Sequence, residues 1–222
     1  MQTDQTPPVF DAIARFGVVP VVTIADASHA LPLADALIAG GLPIVEVAFR
    51  TPEAASVVRT LTLHRAGLIV GAGTMLTPID AQVARESSAA FGVAPGLNPK
   101  VVEQARHVGL PFVPGVSTPT ETERAMELGC KLLKFFPAEA MGGAKTLEAL
   151  SGPYRHTGVR FIPTGGVNVE NLERYLKCAV VAAVGGTWIA TPEDLAAGRW
   201  GQITEKCKEA VGIVRGVRVV QG

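Results

Sequence analysis

The sequence predicts an α/β protein, a single (β/α)8 barrel of the TIM type with an extra N-terminal helix, in one domain over residues 1–222. Eight short segments rich in β-branched and other apolar residues recur along the chain. Their starts lie about 20 to 30 residues apart, which is the length of a strand plus a crossover helix. The stretches between them carry helical patterns that close on glycine, as helix C-caps do. Because 48% of the residues are hydrophobic, the chain can bury one large core, as α/β barrels of about 200 residues or more do.

The predicted strands are apolar over most of their length, as expected of a parallel sheet that is covered on both faces. Eight such units favour closure into a barrel, and an open doubly wound sheet is the structural alternative. The extra helix is expected around Val9–Phe16, at the bottom of the barrel. The predicted strands are, in chain order, 18–24, 44–49, 68–73, 89–94, 111–116, 131–136, 160–165 and 180–185.

Five dipeptides of one kind follow predicted strands and open predicted helices. Each reads as an N-cap residue followed by proline at the first helical position. Glu121 stands three residues after Thr118, which predicts a capping box there. The dipeptides are Thr51-Pro52, Thr77-Pro78, Asn98-Pro99, Thr118-Pro119 and Thr191-Pro192.

The composition excludes several classes of partner. The 20 Lys and Arg residues balance the 20 Asp and Glu residues, so we expect no charge-driven binding to nucleic acid or to an anionic membrane. The apolar stretches are shorter than the ~18 residues that a membrane span requires, and the N-terminus lacks the pattern of a signal peptide. We therefore expect a cytoplasmic protein. The three cysteines, Cys130, Cys178 and Cys207, lack metal-ligand spacing and are interpreted as core thiols.

Three ionisable side chains interrupt the predicted strands or their ends: Glu46, Arg50 and Lys134. Active sites of barrels lie at the C-terminal ends of the strands, so the direction of these side chains matters. Residues two apart share a face of a strand, so Glu46 and Arg50 face together. Lys134 shares its face with Phe136 and is expected to point inward, whereas Lys131 has the opposite parity and can reach water.

An inward lysine beside a carboxylate suggests amine chemistry. An amine held among apolar and cationic neighbours favours its neutral form, which attacks a ketone to form a Schiff base. Glu46 would then move protons, and Arg50 would bind a substrate carboxylate through two hydrogen bonds. The alternative is that Lys134 and Glu46 form a structural ion pair, or that a shift of register leaves both in solvent. The Thr74 hydroxyl either holds the substrate carboxylate or closes a turn.

Two glycine pairs follow the seventh and eighth predicted strands, where barrels commonly bind phosphate. They are Gly165-Gly166 and Gly185-Gly186, and the hydroxyls of Thr164 and Thr187 adjoin them. Glycine has no side chain to shield its backbone amide, so an oxyanion can approach the amides closely at such positions. We therefore favour a phosphate site. The alternative is a tight turn after each strand, which also requires glycine.

These residues and the segments around them resemble the family of 2-keto-3-deoxy-6-phosphogluconate (KDPG) and 4-hydroxy-2-oxoglutarate (KHG) aldolases. The resemblance extends over nearly the whole chain, and the order and spacing of its motifs make it specific. The motifs are VVPVV, AGGLPIVEVAFRT, IVGAGT, APGLN, PGVSTPTE, KFFPAEAMGG, PTGGV and VGGTW.

The resemblance implies a role for each candidate site residue. Lys134 would be the Schiff-base lysine and Glu46 the general acid and base. The pyruvate carboxylate would be held by Arg50 and Thr74 with help from Thr164, and Pro95 and Phe136 would shape the pocket wall. The family often has serine where this chain has Thr187, a departure that bears on phosphate fit. The implied phosphate contacts are Gly165, Gly166, Gly185, Gly186 and Thr187.

The implied activity is that of a class I aldolase. It would cleave 2-dehydro-3-deoxy-6-phosphogluconate, a phosphorylated 2-keto-3-deoxy sugar acid of the Entner-Doudoroff pathway, to pyruvate and glyceraldehyde 3-phosphate. The resemblance also implies a homotrimer that needs no cofactor and no metal, and the sequence has no metal-ligand cluster that would favour the metal-dependent route.

Three alternative functions stay open from the sequence. The same chemistry on 4-hydroxy-2-oxoglutarate or another pyruvate-derived aldol is the nearest. A phosphosugar isomerase or epimerase would need acid and base groups but no lysine within a strand. A non-catalytic barrel that binds a phosphate ligand would bind product without cleaving substrate.

Overall fold

The computed structural model describes residues 7–221, with side chains described through residue 219. Strands and helices alternate along it except where β6 follows β5 and α10 follows α9, and two 3-10 turns lie at Ala27–His29 and Gly152–Thr157. The strands are β1 (Val18–Val22), β2 (Ile44–Ala48), β3 (Ile69–Gly73), β4 (Phe91–Val93), β5 (Phe112–Val113), β6 (Gly115–Val116), β7 (Leu132–Phe135), β8 (Arg160–Pro163) and β9 (Val184–Gly186). The helices are α1 (Pro8–Phe16), α2 (Ala30–Ala39), α3 (Ala54–His64), α4 (Pro78–Glu86), α5 (Pro99–His107), α6 (Pro119–Glu127), α7 (Gly143–Ser151), α8 (Val169–Leu176), α9 (Pro192–Ala196) and α10 (Trp200–Gln221).

The fold is α/β, with a curled parallel sheet of six strands in the order β5-β4-β3-β2-β1-β9. A second parallel sheet has the order β6-β7-β8. Isolated parallel bridges from Phe161 to Val181 and from Thr164 to Gly185 connect β8 with the segment that contains β9. All residues of β1 and β2 are buried, which confirms the prediction of strands covered on both faces.

The fifth predicted strand is split in the structure. In place of one strand over 111–116, β5 pairs with β4, and β6 pairs with β7. Pro114 stands between them and has no amide hydrogen to give to a ladder. Its carbonyl accepts from the Lys134 amide at 2.8 Å, so this break brings the chain from the first sheet to the second.

The eighth predicted strand, 180–185, is also corrected. The ladder with β1 begins only at Val184 and runs to Gly186. The Val181 amide instead donates to the Cys178 carbonyl at 2.9 Å, so the start of this segment belongs to a turn. The two glycines predicted to flank the end of the strand consequently lie within it.

Four of the five predicted helix starts are confirmed. Thr77, Asn98, Thr118 and Thr191 are N-caps whose side chains accept a backbone amide, and Thr118 forms the predicted capping box with Glu121. Thr51 is the exception, because α3 begins at Ala54 with Glu53 at its N-cap. The Thr51 hydroxyl donates to the Ile24 carbonyl at 2.8 Å and ties the loop after β2 to the loop after β1.

Helix α1 precedes β1 and buries Ile13 completely. The helix is capped by Gly17, which has a φ of 73° and could not carry a Cβ without overlap with Val214. The Arg218 guanidinium of α10 donates to the Ala14 and Arg15 carbonyls, which satisfies carbonyl groups that the end of α1 leaves open. The first and last helices are thereby joined.

Candidate functional site

The centre of the site is a buried pair of opposite charges. The Lys134 Nζ of β7 lies 3.3 Å from the Glu46 Oε1 of β2, and the two side chains are 7% and 4% exposed. Gly73 pairs with Ala48 in the neighbouring strand, and a Cβ on Gly73 would overlap the Glu46 carboxylate. The glycine therefore gives the carboxylate its space. Lys131 is exposed at the start of the same segment.

A second pair lies at the C-terminal ends of β2 and β3. The exposed Arg50 donates from Nε to the Thr74 Oγ1 at 3.1 Å. Thr74 is half-buried and has a φ of 59°, a left-handed conformation that a β-branched residue rarely adopts. Such strain persists where surrounding structure holds it, commonly at functional sites. The strained backbone therefore marks the Thr74 hydroxyl as a candidate functional group.

The glycine pairs differ from one another. Gly165 and Gly166 follow β8 with φ values of 96° and 79°, so the first pair does form a turn that requires glycine. Gly185 and Gly186 are buried in β9 and pair with Val19 and Pro20. The prediction that they follow the strand is wrong.

Close packing explains the second pair. A Cβ on Gly185 would overlap the Thr164 hydroxyl, and a Cβ on Gly186 would overlap the Trp188 ring. Thr164 is 5% exposed, and its Oγ1 lies 3.5 Å from the Ile162 carbonyl oxygen. Thr187 follows β9 and is exposed.

Phe136 connects the charged pair with the first glycine pair. The Lys134 Nζ lies 5.5 Å from the centre of the Phe136 ring, within the range of a cation–π contact. A Cβ on Gly165 would lie 3.3 Å from the same ring. Pro95 follows β4, and its carbonyl abuts Gly115, which pairs with Lys134 in the sheet.

All twelve candidate residues occupy the C-terminal parts of parallel strands or the segments that follow them. Because the strands are parallel, these parts meet at one edge, where barrel enzymes hold their chemistry. The structure brings Lys134 to Glu46, Arg50 to Thr74, and Thr164 to Gly185. Among the described residues, no hydrogen bond joins these three contacts to one another.

Sequence reasoning missed a cluster beside the first glycine pair. Glu139 follows β7, and its carboxylate accepts the Tyr175 hydroxyl of α8 and the Arg174 Nη2 at 3.2 Å. Burial, followed by the hydrogen bond to Glu139, raises the pKa of Tyr175, so the phenol keeps its proton and donates. The sequence shows a glycine pair in the segment PAEAMGG, but Tyr175, the partner of Glu139, lies 36 residues further along the chain.

The described residues contain no group of three or more His, Cys, Asp or Glu side chains that could hold a metal ion. Cys130, Cys178 and Cys207 are free thiols, and burial raises the pKa of Cys207 to about 12. No helix within 7–221 combines the length and apolar character that a membrane crossing requires.

Comparison with known proteins places this geometry in context. The family model described as "Aldolase: KDPG and KHG aldolase" matches residues 10–206. A 2-dehydro-3-deoxy-phosphogluconate aldolase of Treponema pallidum is 43% identical over 206 residues, which cover 93% of this chain and 97% of that protein.

Two solved structures are similar over almost their full lengths. KDPG aldolase from Legionella pneumophila, with pyruvate captured as a covalent carbinolamine intermediate, has a TM-score of 0.87 at 36% identity and covers 93% of this chain and 98% of its own. The aldolase of Zymomonas mobilis with 3-phosphoglycerate has a TM-score of 0.85 at 34% identity and covers 94% and 97%.

Proposed function

The chain belongs to the family of KDPG and KHG aldolases, and from this membership we propose that it cleaves 2-dehydro-3-deoxy-6-phosphogluconate to pyruvate and glyceraldehyde 3-phosphate by a class I, Schiff-base route. The observation that carries the proposal is the buried contact between the Lys134 amine and the Glu46 carboxylate at 3.3 Å. The carbinolamine of pyruvate in the Legionella pneumophila enzyme supports the same chemistry.

Substrate binding begins at the carboxylate. Arg50 and Thr74, already in contact at 3.1 Å, present a guanidinium and a hydroxyl that bind the C1 carboxylate, and Thr164 contributes a second hydroxyl. A guanidinium matches a carboxylate through two parallel hydrogen bonds. This directs the C2 ketone toward Lys134.

Covalent chemistry follows at C2. Glu46 takes a proton from the Lys134 ammonium, and the neutral amine adds to the C2 carbonyl to form a carbinolamine. Glu46 returns a proton to the departing hydroxyl, so that water leaves and an iminium ion forms. A carboxylate within hydrogen-bond reach of the amine can serve each of these transfers.

Cleavage uses the iminium as an electron sink. Glu46 accepts the proton of the C4 hydroxyl, the C3–C4 bond breaks, and its electron pair moves through C2 to the iminium nitrogen. Glyceraldehyde 3-phosphate leaves from the resulting enamine. Protonation of the enamine at C3 and hydrolysis of the iminium release pyruvate and restore the amine.

The phosphate would lie at the two glycine pairs. The Gly165-Gly166 turn after β8 would supply backbone amides and Thr187 a hydroxyl, while Gly185 and Gly186 would line the site from β9 without side chains, at the usual phosphate position of barrels. The 3-phosphoglycerate bound by the Zymomonas mobilis enzyme is consistent with a phosphorylated substrate. Pro95 and Phe136 would form the pocket wall.

We also propose how the two sheets close and how the whole protein assembles. The two sheets would close into one (β/α)8 barrel with α1 as a helix outside the repeat, in a single domain of residues 1–222. The bridges from Phe161 to Val181 and from Thr164 to Gly185 support closure at one junction. The Gly115 amide, which donates to the Gly96 carbonyl at 3.2 Å, supports it at the other. We further propose a cytoplasmic homotrimer that needs no cofactor and no metal.

Steady-state kinetics tests this function. Pyruvate release from 2-dehydro-3-deoxy-6-phosphogluconate and from 4-hydroxy-2-oxoglutarate is measured with and without a chelator. We expect a higher kcat/KM on the phosphorylated substrate and no change on chelation. Greater efficiency on 4-hydroxy-2-oxoglutarate would assign the alternative substrate of this family. Loss of the rate on chelation would contradict the metal-independent route.

A further inference from the structure

The cluster of Glu139, Arg174 and Tyr175, here called the Glu139 cluster, lies directly behind the Gly165-Gly166 turn. The Glu139 amide donates to the Gly165 carbonyl at 3.0 Å. A Cβ on Gly166 would lie 2.7 Å from the Glu139 Cβ, so this turn packs against Glu139 without space between them. A shift of Glu139 would therefore displace the turn.

Glu139 itself is held from α8. Tyr175 is fully buried and donates its hydroxyl to Oε1, while Arg174 contacts both carboxylate oxygens, at 3.2 and 3.4 Å. Gly143, at the start of α7, has a φ of 69°, and a Cβ there would lie 3.0 Å from Oε1. The carboxylate is thus fixed between the loop after β7 and two helices.

The charge of Glu139 matters for the neighbouring turn. A carboxylate behind an anion-binding turn repels a phosphate group, and the repulsion acts over several ångströms. The Arg174 guanidinium counters the charge of this carboxylate, and the neutral Tyr175 hydroxyl holds the carboxylate in place by a hydrogen bond. A support for a ligand-binding turn has to be rigid, and the three contacts on the Glu139 carboxylate provide that rigidity.

We propose that the Glu139 cluster positions the Gly165-Gly166 turn for the phosphate group of the substrate, with Arg174 neutralising a carboxylate that would otherwise repel that phosphate. This role deepens the proposed function and rests on it. The three residues act as positioning residues, because they act through the turn rather than on the reacting atoms.

The first test removes one hydroxyl. Tyr175→Phe keeps the buried ring and takes away the donor to Glu139. We expect the KM for the phosphorylated substrate to rise about tenfold, the cost of one hydrogen bond to a charged group. The KM and kcat for 4-hydroxy-2-oxoglutarate should stay unchanged. Tyr154→Phe is the matched control, because Tyr154 donates to the exposed Glu123 at 2.9 Å on another face.

The second test separates charge from geometry. Arg174→Gln changes a side chain that is 61% exposed, so folding should be preserved even if Tyr175→Phe unfolds. We expect the KM for the phosphorylated substrate to rise by about threefold to tenfold. The double variant Glu139→Gln/Arg174→Gln keeps an acceptor for Tyr175 without the charge, and should recover much of that loss.

The outcomes are distinguishable. If the wild type prefers the phosphorylated substrate and both single variants behave as Tyr154→Phe does, the positioning role is overturned while the proposed function stands. Failure of the double variant to recover would overturn the neutralising role of Arg174. If the wild type shows no preference for phosphate and inorganic phosphate does not compete with substrate, the phosphate site itself fails and the positioning role fails with it.

Discussion

Single residues determine whether the charged pair can form at all. Lys134 and Glu46 are buried, and breaking a buried pair leaves a charge without a partner, which is costly. The space for this pair comes from a residue without a side chain, since a Cβ on Gly73 would overlap the Glu46 carboxylate. Gly115, beside Lys134 in the sheet, makes similar room for the Pro95 carbonyl.

The substitution Gly73→Ala tests this dependence. The added methyl displaces the Glu46 carboxylate from Lys134, so we expect kcat for aldol cleavage to fall about 100-fold, as misplacement by about 1 Å can cause. Crowding should lower the free energy of unfolding by about 1 to 3 kcal/mol.

Gly212→Ala provides the control for this substitution. Gly212 lies within α10 with open space around its Cβ position, so alanine should leave cleavage unchanged and slightly raise stability. Equal kcat values for Gly73→Ala and the wild type would show that Glu46 does not need its present position. The measurements are pyruvate release and urea unfolding.

For single residues, the sequence predicted which way a side chain points better than it predicted which residues that side chain contacts. The period of two residues along a strand predicted that Lys134 is buried and Lys131 exposed. It could not predict the φ of Thr74, because that strain is imposed by the surrounding structure. It could not find Tyr175 as the partner of Glu139, because only tertiary packing brings α8 to the loop after β7.

Helices α4, α5, α6, α8 and α9 begin at side-chain capping contacts. Capping boxes form at Thr77 with Asp80, Thr118 with Glu121, Asn168 with Asn171, and Thr191 with Asp194. Asp194 does more than cap α9, because Lys206 and Arg199 also contact its carboxylate, at 2.5 and 3.5 Å. This buried carboxylate therefore links α9 to α10.

The substitution Asp194→Asn tests the contribution of this link. Burial raises the pKa of Asp194, but the hydrogen bond and charge of Lys206 and the contacts with Thr191 together hold it below its ordinary value of 3.8. A carboxyl with a lowered folded-state pKa stabilises the fold above its unfolded-state pKa, and that stability is lost as the pH falls through the folded-state pKa. We expect Asn to cost roughly 1 to 3 kcal/mol near neutral pH.

Urea unfolding of both proteins at about pH 7 and about pH 3 gives the measurement, since the unfolded-state carboxyl takes up its proton between these conditions and the folded-state carboxyl, with its lowered pKa, resists doing so. The difference in unfolding free energy should shrink in acid. A difference that stays the same at both pH values would mean that the ionised carboxylate of Asp194 does not stabilise the fold.

The boundaries of helices and strands could be predicted where the local sequence determines them. Thr-Pro and Asn-Pro pairs predicted four helix starts, and failed at Thr51 because its hydroxyl serves a distant carbonyl, Ile24. The break between β5 and β6 had a local signal in Pro114, since proline within an apolar segment argues against a continuous strand. The late start of β9 had none, because the turn at Val181 depends on Cys178.

At the scale of the whole molecule, parallel topology brings distant segments to one edge. Lys134 and Glu46 are 88 residues apart in sequence, and β7 and β2 belong to different sheets. The repeated strand and helix pattern predicted that such residues meet, because parallel strands place their C-terminal ends together. How the two sheets join depends on contacts that no local pattern encodes.

Trapping with pyruvate tests the Schiff-base lysine. The protein is incubated with pyruvate and reduced with borohydride, and any stable adduct is located by peptide mass spectrometry. Lys134 is the expected position of the adduct and Lys131 is the internal control.

The Lys134→Met variant should fold, lose cleavage and take up no label. The Lys131→Met variant should cleave substrate and be labelled as the wild type is. An adduct at Lys134 alone would establish its amine as the nucleophile; no adduct, or an adduct at another lysine, would contradict the Schiff-base mechanism.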